Sequence, residues 1–163
     1  MTPYETLKSI FRSFDLTEES SQLGSFKFNE HAYWRQEVLD ESLAFKQGLG
    51  DIYVVDEHIY LLETESLPNL KELKKEVHQN IKEIAKPNKS HRNTDLSFFI
   101  IVDSLTDEEK KEIQSFKYRK SFLLEFHGTA HVRLIVWSIK DNDIYTSNNA
   151  KDFIKKHKAD LIK

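Results

Sequence analysis

A chain of 163 residues, 39% of them hydrophobic and 12% aromatic, is enough for one domain with its own core, so a single domain spanning 1–163 is expected. The absence of cysteine excludes disulfides, thiol catalysis and thiolate zinc sites, leaving carboxylates and the seven histidines as the possible metal ligands. A formal charge of −3 argues against a strongly basic nucleic-acid glove, and neither a membrane-length apolar run nor a signal-peptide layout is visible, so a soluble cytoplasmic protein with no membrane partner is expected.

The first element is predicted as a helix from Pro3 to about Phe14, because Thr2 and Glu5 form a Thr-x-x-Glu capping box and Pro3 suits the first helical position. Leu7, Ile10, Phe11 and Phe14 share its apolar face. After a polar loop and a short Phe-Lys-Phe segment, Asn29 can cap a second helix running to about Gln47 and ended by Gly48 and Gly50. The stretch GLGDIYVVDEHIYLLETES then reads as a hairpin, with strands over 51–55 and about 58–64 joined through Asp56-Glu57.

Leu70, Leu73, Val77, Ile81 and Ile84 step by helical intervals, which predicts a helix that stops before Pro87. The continuous apolar run Leu96 to Val102 reads as a strand covered on both faces, the pattern of a central parallel strand. Strand, crossover helix and strand should therefore form a parallel unit. Thr106 and Glu109 make a second capping box for a short helix to about Phe116, and 119–127 is predicted as a third parallel strand. Its hairpin partner covers 132–139. A turn at 141–143, a short strand over 144–146 and a C-terminal helix bearing Ala150, Phe153, Ile154, His157 and Leu161 complete the chain. The fold class is mixed α/β: a sheet of about six strands with a parallel centre and antiparallel hairpins, and helices on both faces.

Ligands in open sheets bind outside the carboxyl ends of parallel strands, and the predicted ends carry Glu63 and Glu65, Asp103, and Glu125 with His127. Acids on one rim have the composition of a hard-cation site for Mg²⁺ or Mn²⁺. In the predicted hairpin Asp51 lies beside Glu63, giving Asp51, Glu63 and Glu65 as metal ligands and Asp103 as a further catalytic candidate. Asp followed by Glu-x-Glu resembles the acidic part of restriction-endonuclease-like metal nucleases, with Glu65 where that family has a lysine. The resemblance implies a metal-dependent nuclease or phosphoesterase.

A second constellation comes from FLLEFHGTAHVRLIVW. A register that places Phe122, Leu124 and Phe126 against Val132, Leu134 and Val136 puts Glu125, His127, His131 and Arg133 together on the other face. Such a patch suits a His/Glu metal or proton-transfer site, or the binding of a phosphate or a partner's carboxylate.

Charge is unevenly spread. Residues 1–66 carry 5 Lys and Arg against 13 Asp and Glu, while 67–163 carry 19 against 14. The basic segments Lys86 to Arg92 and Lys117 to Lys120 fall at the amino ends of parallel strands, away from the acids, whereas a nuclease needs cations around its metal. Four glycines and no phosphate loop make a nucleotide cradle unexpected. The leading expectation is a small accessory or interaction protein of inhibitor, immunity or adaptor type, with a protein partner, no cofactor and no intrinsic catalysis. The metal nuclease, with Mg or Mn and a nucleic-acid substrate, is the alternative.

Overall fold

The structure, a computed structural model, describes residues 2–11, 16–18, 20–40 and 51–155. Its centre is three parallel strands, β5 (Asp51–Glu63), β6 (His91–Val102) and β8 (Thr129–Ser138), with β6 in the middle. The long strand β4 (Glu30–Asp40) pairs antiparallel with β5, and β1 (Leu16–Glu18) pairs with β4. On the far side, β7 (Arg119–Ser121) and β9 (Asp143–Thr146) share the outer edge of β8, one at each end. The result is a seven-stranded mixed sheet, with a separate two-stranded hairpin, β2 (Ser21–Leu23) and β3 (Phe26–Phe28).

The apolar run in β6 behaves as its composition requires, since Leu96 and Phe98 to Val102 are buried by layers on both faces. On one face, Leu96, Phe98, Ile100, Val132, Leu134 and Val136 meet Leu73, Val77 and Ile81 of α2 (Leu70–Ala85) and Ile113 of α3 (Asp107–Ser115). The β2–β3 hairpin closes this layer, its Phe28 ring lying 5.5 Å from Phe98 and 5.0 Å from Tyr60. On the other face, Ile59, Leu61, Phe99, Ile101, Ile135 and Trp137 meet Leu7 of α1 (Pro3–Phe11), Ala150 and Ile154. Both capping boxes form: Thr2 with Glu5, and Thr106 with Glu109.

Three expectations are corrected. The segment after Asn29 is the strand β4, not a helix. Its aromatic and charged residues fit either period, and the partner strand decides, because β5 pairs with β4 along its whole length. Asn29 does cap a backbone amide, but that of Glu63 at the end of β5, at 2.8 Å. The remainder of the predicted helix, with Gly48 and Gly50, lies outside the described residues, as do Phe14, His157 and Leu161.

The predicted hairpin over 51–64 is one 13-residue strand. β4 pairs with β5 over 51–61 and β6 over 54–63, so Asp56-Glu57 is bonded on both edges and turning there would forfeit both sets of bonds. The predicted strand 119–127 stops at Ser121, and the third parallel strand is β8 instead. Placing β8 beside β6 buries Ala130, Val132 and Leu134 to Trp137. Arg119 therefore pairs with His131 and Ser121 with Thr129, and Phe126 is not opposite Val132.

These layers imply an uneven map of sensitivity. Phe98→Ala should cost about 3–5 kcal/mol, Thr106→Ala about 1 kcal/mol, and Leu124→Ala less than about 0.5 kcal/mol. Urea unfolding measures all three, and similar losses at Phe98 and Leu124 would contradict the layer assignment.

Candidate functional site

The expected metal ligands do not converge. Asp51 opens β5 and Glu63 closes it, so twelve residues of extended chain hold them about 40 Å apart. The Asp51 side chain lies outside the described residues. Glu63, Glu65 and Asp103 are exposed at the carboxyl edge, where the Asp103 amide donates to the Glu65 carbonyl at 3.3 Å. No group of three or more His, Asp or Glu able to hold a metal ion occurs among the described residues.

The second predicted cluster divides. Arg133 reaches across the sheet to Asp95 Oδ2 at 2.6 Å and Glu57 Oε1 at 3.1 Å, and Phe153 lies under its guanidinium at 5.4 Å. Burial raises the Glu57 carboxyl above its ordinary range, against the pull of Arg133. His131 shares this face; its Nε2 lies 3.2 Å from Thr129 Oγ1, whose hydroxyl donates to Asn93, and burial lowers its pKa. Glu125 instead pairs with Arg119 in the turn before β8, and the His127 carbonyl meets His91 Nδ1 at 2.6 Å.

The structure brings together a set the sequence reading missed. His31, Tyr33 and Arg35 alternate along β4 and lie opposite Tyr60, His58 and Asp56 of β5. All of these but Tyr60, together with His91 and the end of α2, line a cavity of about 580 Å³. Reading β4 with period two would have exposed this set, because alternate side chains of a strand share a face. His31 Nε2 and His58 Nδ1 are 3.0 Å apart, and Tyr33 donates to Asp56 Oδ1 at 2.7 Å. Aromatic rings pin the pair: Tyr60 stacks on His31 at 4.3 Å and Tyr33 tilts against His58 at 4.7 Å.

Burial, reinforced by His31 and then Lys86, pulls the His58 pKa down to about 3. His58 is therefore neutral near pH 7, while burial and the Asp56 hydrogen bond keep the Tyr33 hydroxyl protonated. His58 Nε2 is buried without a hydrogen-bond partner among the described residues. His58 is thus a neutral hydrogen-bonding group in a cavity that the charged side chains Arg35, Glu83 and Lys86 also line.

Beside it lies a second feature, the turn 122–128. Leu123, Leu124 and Glu125 all adopt positive φ, at 47°, 53° and 73°. Leu123, Leu124 and Phe126 are 65%, 87% and 77% exposed. Gly128 is required behind them, since at φ 82° an added Cβ would come within 2.5 Å of His91 Nδ1. Phe126 and Gly128 border a groove of about 300 Å³ with Tyr53, Lys89 and Arg92, and Leu39 and Ile52, each 54% exposed, face one another at the same end of the sheet.

The chain belongs to the family described as Domain of unknown function (DUF8052), whose model matches residues 5–159. No curated protein and no solved structure matches it. Among the described residues, no helix is long and apolar enough to cross a membrane.

The buried His58 has a consequence for acid stability. Unfolded, the ring takes a proton near pH 6.5; folded, only near about 3. Between these values the unfolded chain binds more protons. The stability this group contributes is thus complete above about pH 6.5 and is lost as the pH falls toward 3, by at most about 1.4 kcal/mol per pH unit. His58→Phe should flatten that limb in urea unfolding performed between about pH 4 and 7. An unchanged slope would mean that the folded ring already carries its proton.

Proposed function

We propose that this is a non-catalytic interaction protein that docks an acidic, partly apolar protein surface at the amino-terminal end of its parallel strands. The observation that carries this reading is the turn at 122–128. Left-handed backbone costs an L-residue on the order of 1 kcal/mol, and three consecutive non-glycine residues accept it here. Leu124 nonetheless gains no burial within the chain. The turn is held by the Arg119–Glu125 pair, by amides of Phe126, His127 and Gly128 bonding back into the loop, and by the His91 contact to the His127 carbonyl. A preorganised apolar tip is the arrangement that lowers the entropy cost of binding.

Charge supports a choice of partner. Lys86, Lys89 and Arg92 lie in the loop before β6 and at its start, and Lys117, Arg119 and Lys120 lie before and within β7. Arg92 packs over Tyr53 at 5.4 Å. A basic rim around an apolar centre favours a partner with the reverse charge, with the apolar contacts supplying most of the affinity.

A photocrosslinking residue at position 126, used in the native cellular background, identifies the partner, whose affinity is then measured with purified proteins. Leu124→Asp with Phe126→Asp should weaken binding roughly a hundredfold or more, and added salt should weaken it further. Leu124→Gly should also weaken binding while leaving the protein as stable or up to about 1 kcal/mol more stable, because glycine accepts positive φ without strain. Failure to crosslink any acidic partner, or tip variants that bind it as well as the wild type, would overturn the reading.

A further inference from the structure

The outer edge of β8 has a gap. β7 pairs with it up to His131 and β9 resumes at Ile135, leaving the backbone of 132–134 without a neighbouring strand. The chain fills that gap locally. The Val132 amide donates to the Tyr118 carbonyl at 3.2 Å and its carbonyl accepts from Asn149 Nδ2 at 2.7 Å, while Ser147 serves Leu134 through both its hydroxyl and its backbone.

Over this satisfied floor lies a hollow of about 520 Å³, within the range of small-molecule sites. Its walls are Lys74 and His78 of α2, Lys117, Tyr118 and Arg119 of the segment entering β7, and His131, Asn148 and Asn149. Three are permanent cations, and no carboxylate among the described residues lines it. Arg119 is already paired with Glu125, but Lys74 and Lys117 have no ion-pair partner among the described residues. Tyr118, whose hydroxyl shares a hydrogen bond with His78 at 3.3 Å, is buried enough that its pKa is raised and it stays a donor.

We infer that this hollow binds a phosphate-bearing small molecule, with Lys74 and Lys117 holding the anion and asparagine, tyrosine and histidine donors lining the remainder. The chemistry follows from the lining: cations and neutral donors, with no acid among the described residues, favour an anion and disfavour a cation, and phosphate offers several acceptor oxygens to donors converging from four segments of the chain. This inference shares Lys117 and Arg119 with the basic rim of the docking reading but uses none of the apolar tip at 122–128.

Titration of the full chain with pyrophosphate and with inorganic phosphate, followed by calorimetry and melting temperature, tests it against sodium chloride of matched ionic strength. The expected result is saturable binding and a rise in melting temperature beyond the chloride effect. Lys74→Gln with Lys117→Gln should weaken binding by roughly tenfold or more without lowering the unliganded melting temperature. Lys75→Gln with Lys111→Gln, outside the hollow, should leave binding unchanged. Phe126→Asp should likewise leave it unchanged, which separates this site from the protein-docking tip. A response equal to that of chloride, or one that survives loss of both lysines, would overturn the assignment. So would binding of a single-stranded oligonucleotide without binding of either phosphate, since that would mark a nucleic-acid backbone track instead.

Discussion

Burial of β6 on both faces is the constraint from which the rest of the architecture follows. A strand whose side chains from Phe98 to Val102 are all excluded from water needs a neighbour on each edge and a layer on each face. The neighbours are β5 and β8, both parallel to it, so each connection must cross over the sheet. Those crossovers supply α2 and α3, which cover one face. The first helix and residues 150–154 cover the other. Once the strands run in parallel, all their amino ends lie on one rim and all their carboxyl ends on the other, and the two rims acquire different characters.

The sheet also carries charge at its interior. Glu57, Asp95 and Arg133 come from three adjacent strands at nearly the same level, and the one guanidinium pairs with both acids across the ladder. On the opposite face of the same β5 segment, Asp56 is satisfied by Tyr33. Removing one partner from such a set would strand a charge in a partly dry setting, which costs more than the pair itself contributes. These compensations allow a 13-residue strand to pass through Asp56-Glu57-His58 without breaking.

That same feature explains what was legible in the sequence and what was not. The run Leu96 to Val102 and the stripe from Leu70 to Ile81 each have one period and one sign, so local pattern sufficed for β6 and α2. Both capping boxes were legible because their bonds close within three residues. By contrast, Asp56-Glu57 looks like a turn in isolation: the groups that make it tolerable in a strand, Tyr33 and Arg133, are 23 and 76 residues away from their partners. The β4 segment was ambiguous because Tyr33, Trp34, Val38 and Leu39 satisfy a helical as well as an extended reading, and only pairing with β5 decides. The cavity histidines were hidden by that same error. The turn at 123–125 has no local signature at all, since leucine has no preference for positive φ.

Ligand sites of open parallel sheets ordinarily gather at the carboxyl ends, where loops diverge around a switch in strand order. Here that rim carries exposed acids and short connections, with the Thr64 and Asp103 amides tied down by neighbouring backbone. The amino rim instead holds the cavity, the apolar tip and the basic loops. Part of the reason lies in α2, whose carbonyl end arrives at this rim carrying the negative end of the helix dipole; Lys82 and the left-handed Lys86 stand in its last turn and cap. The tip then emerges because β7 is only three residues long, so the chain must reverse at once to enter β8. A reversal that tight, crowded by His91 against Gly128, leaves Leu123, Leu124 and Phe126 no interior to turn toward. Glycine or asparagine would fit the turn with less strain, so large apolar side chains stand there at a cost that packing within the described residues does not offset.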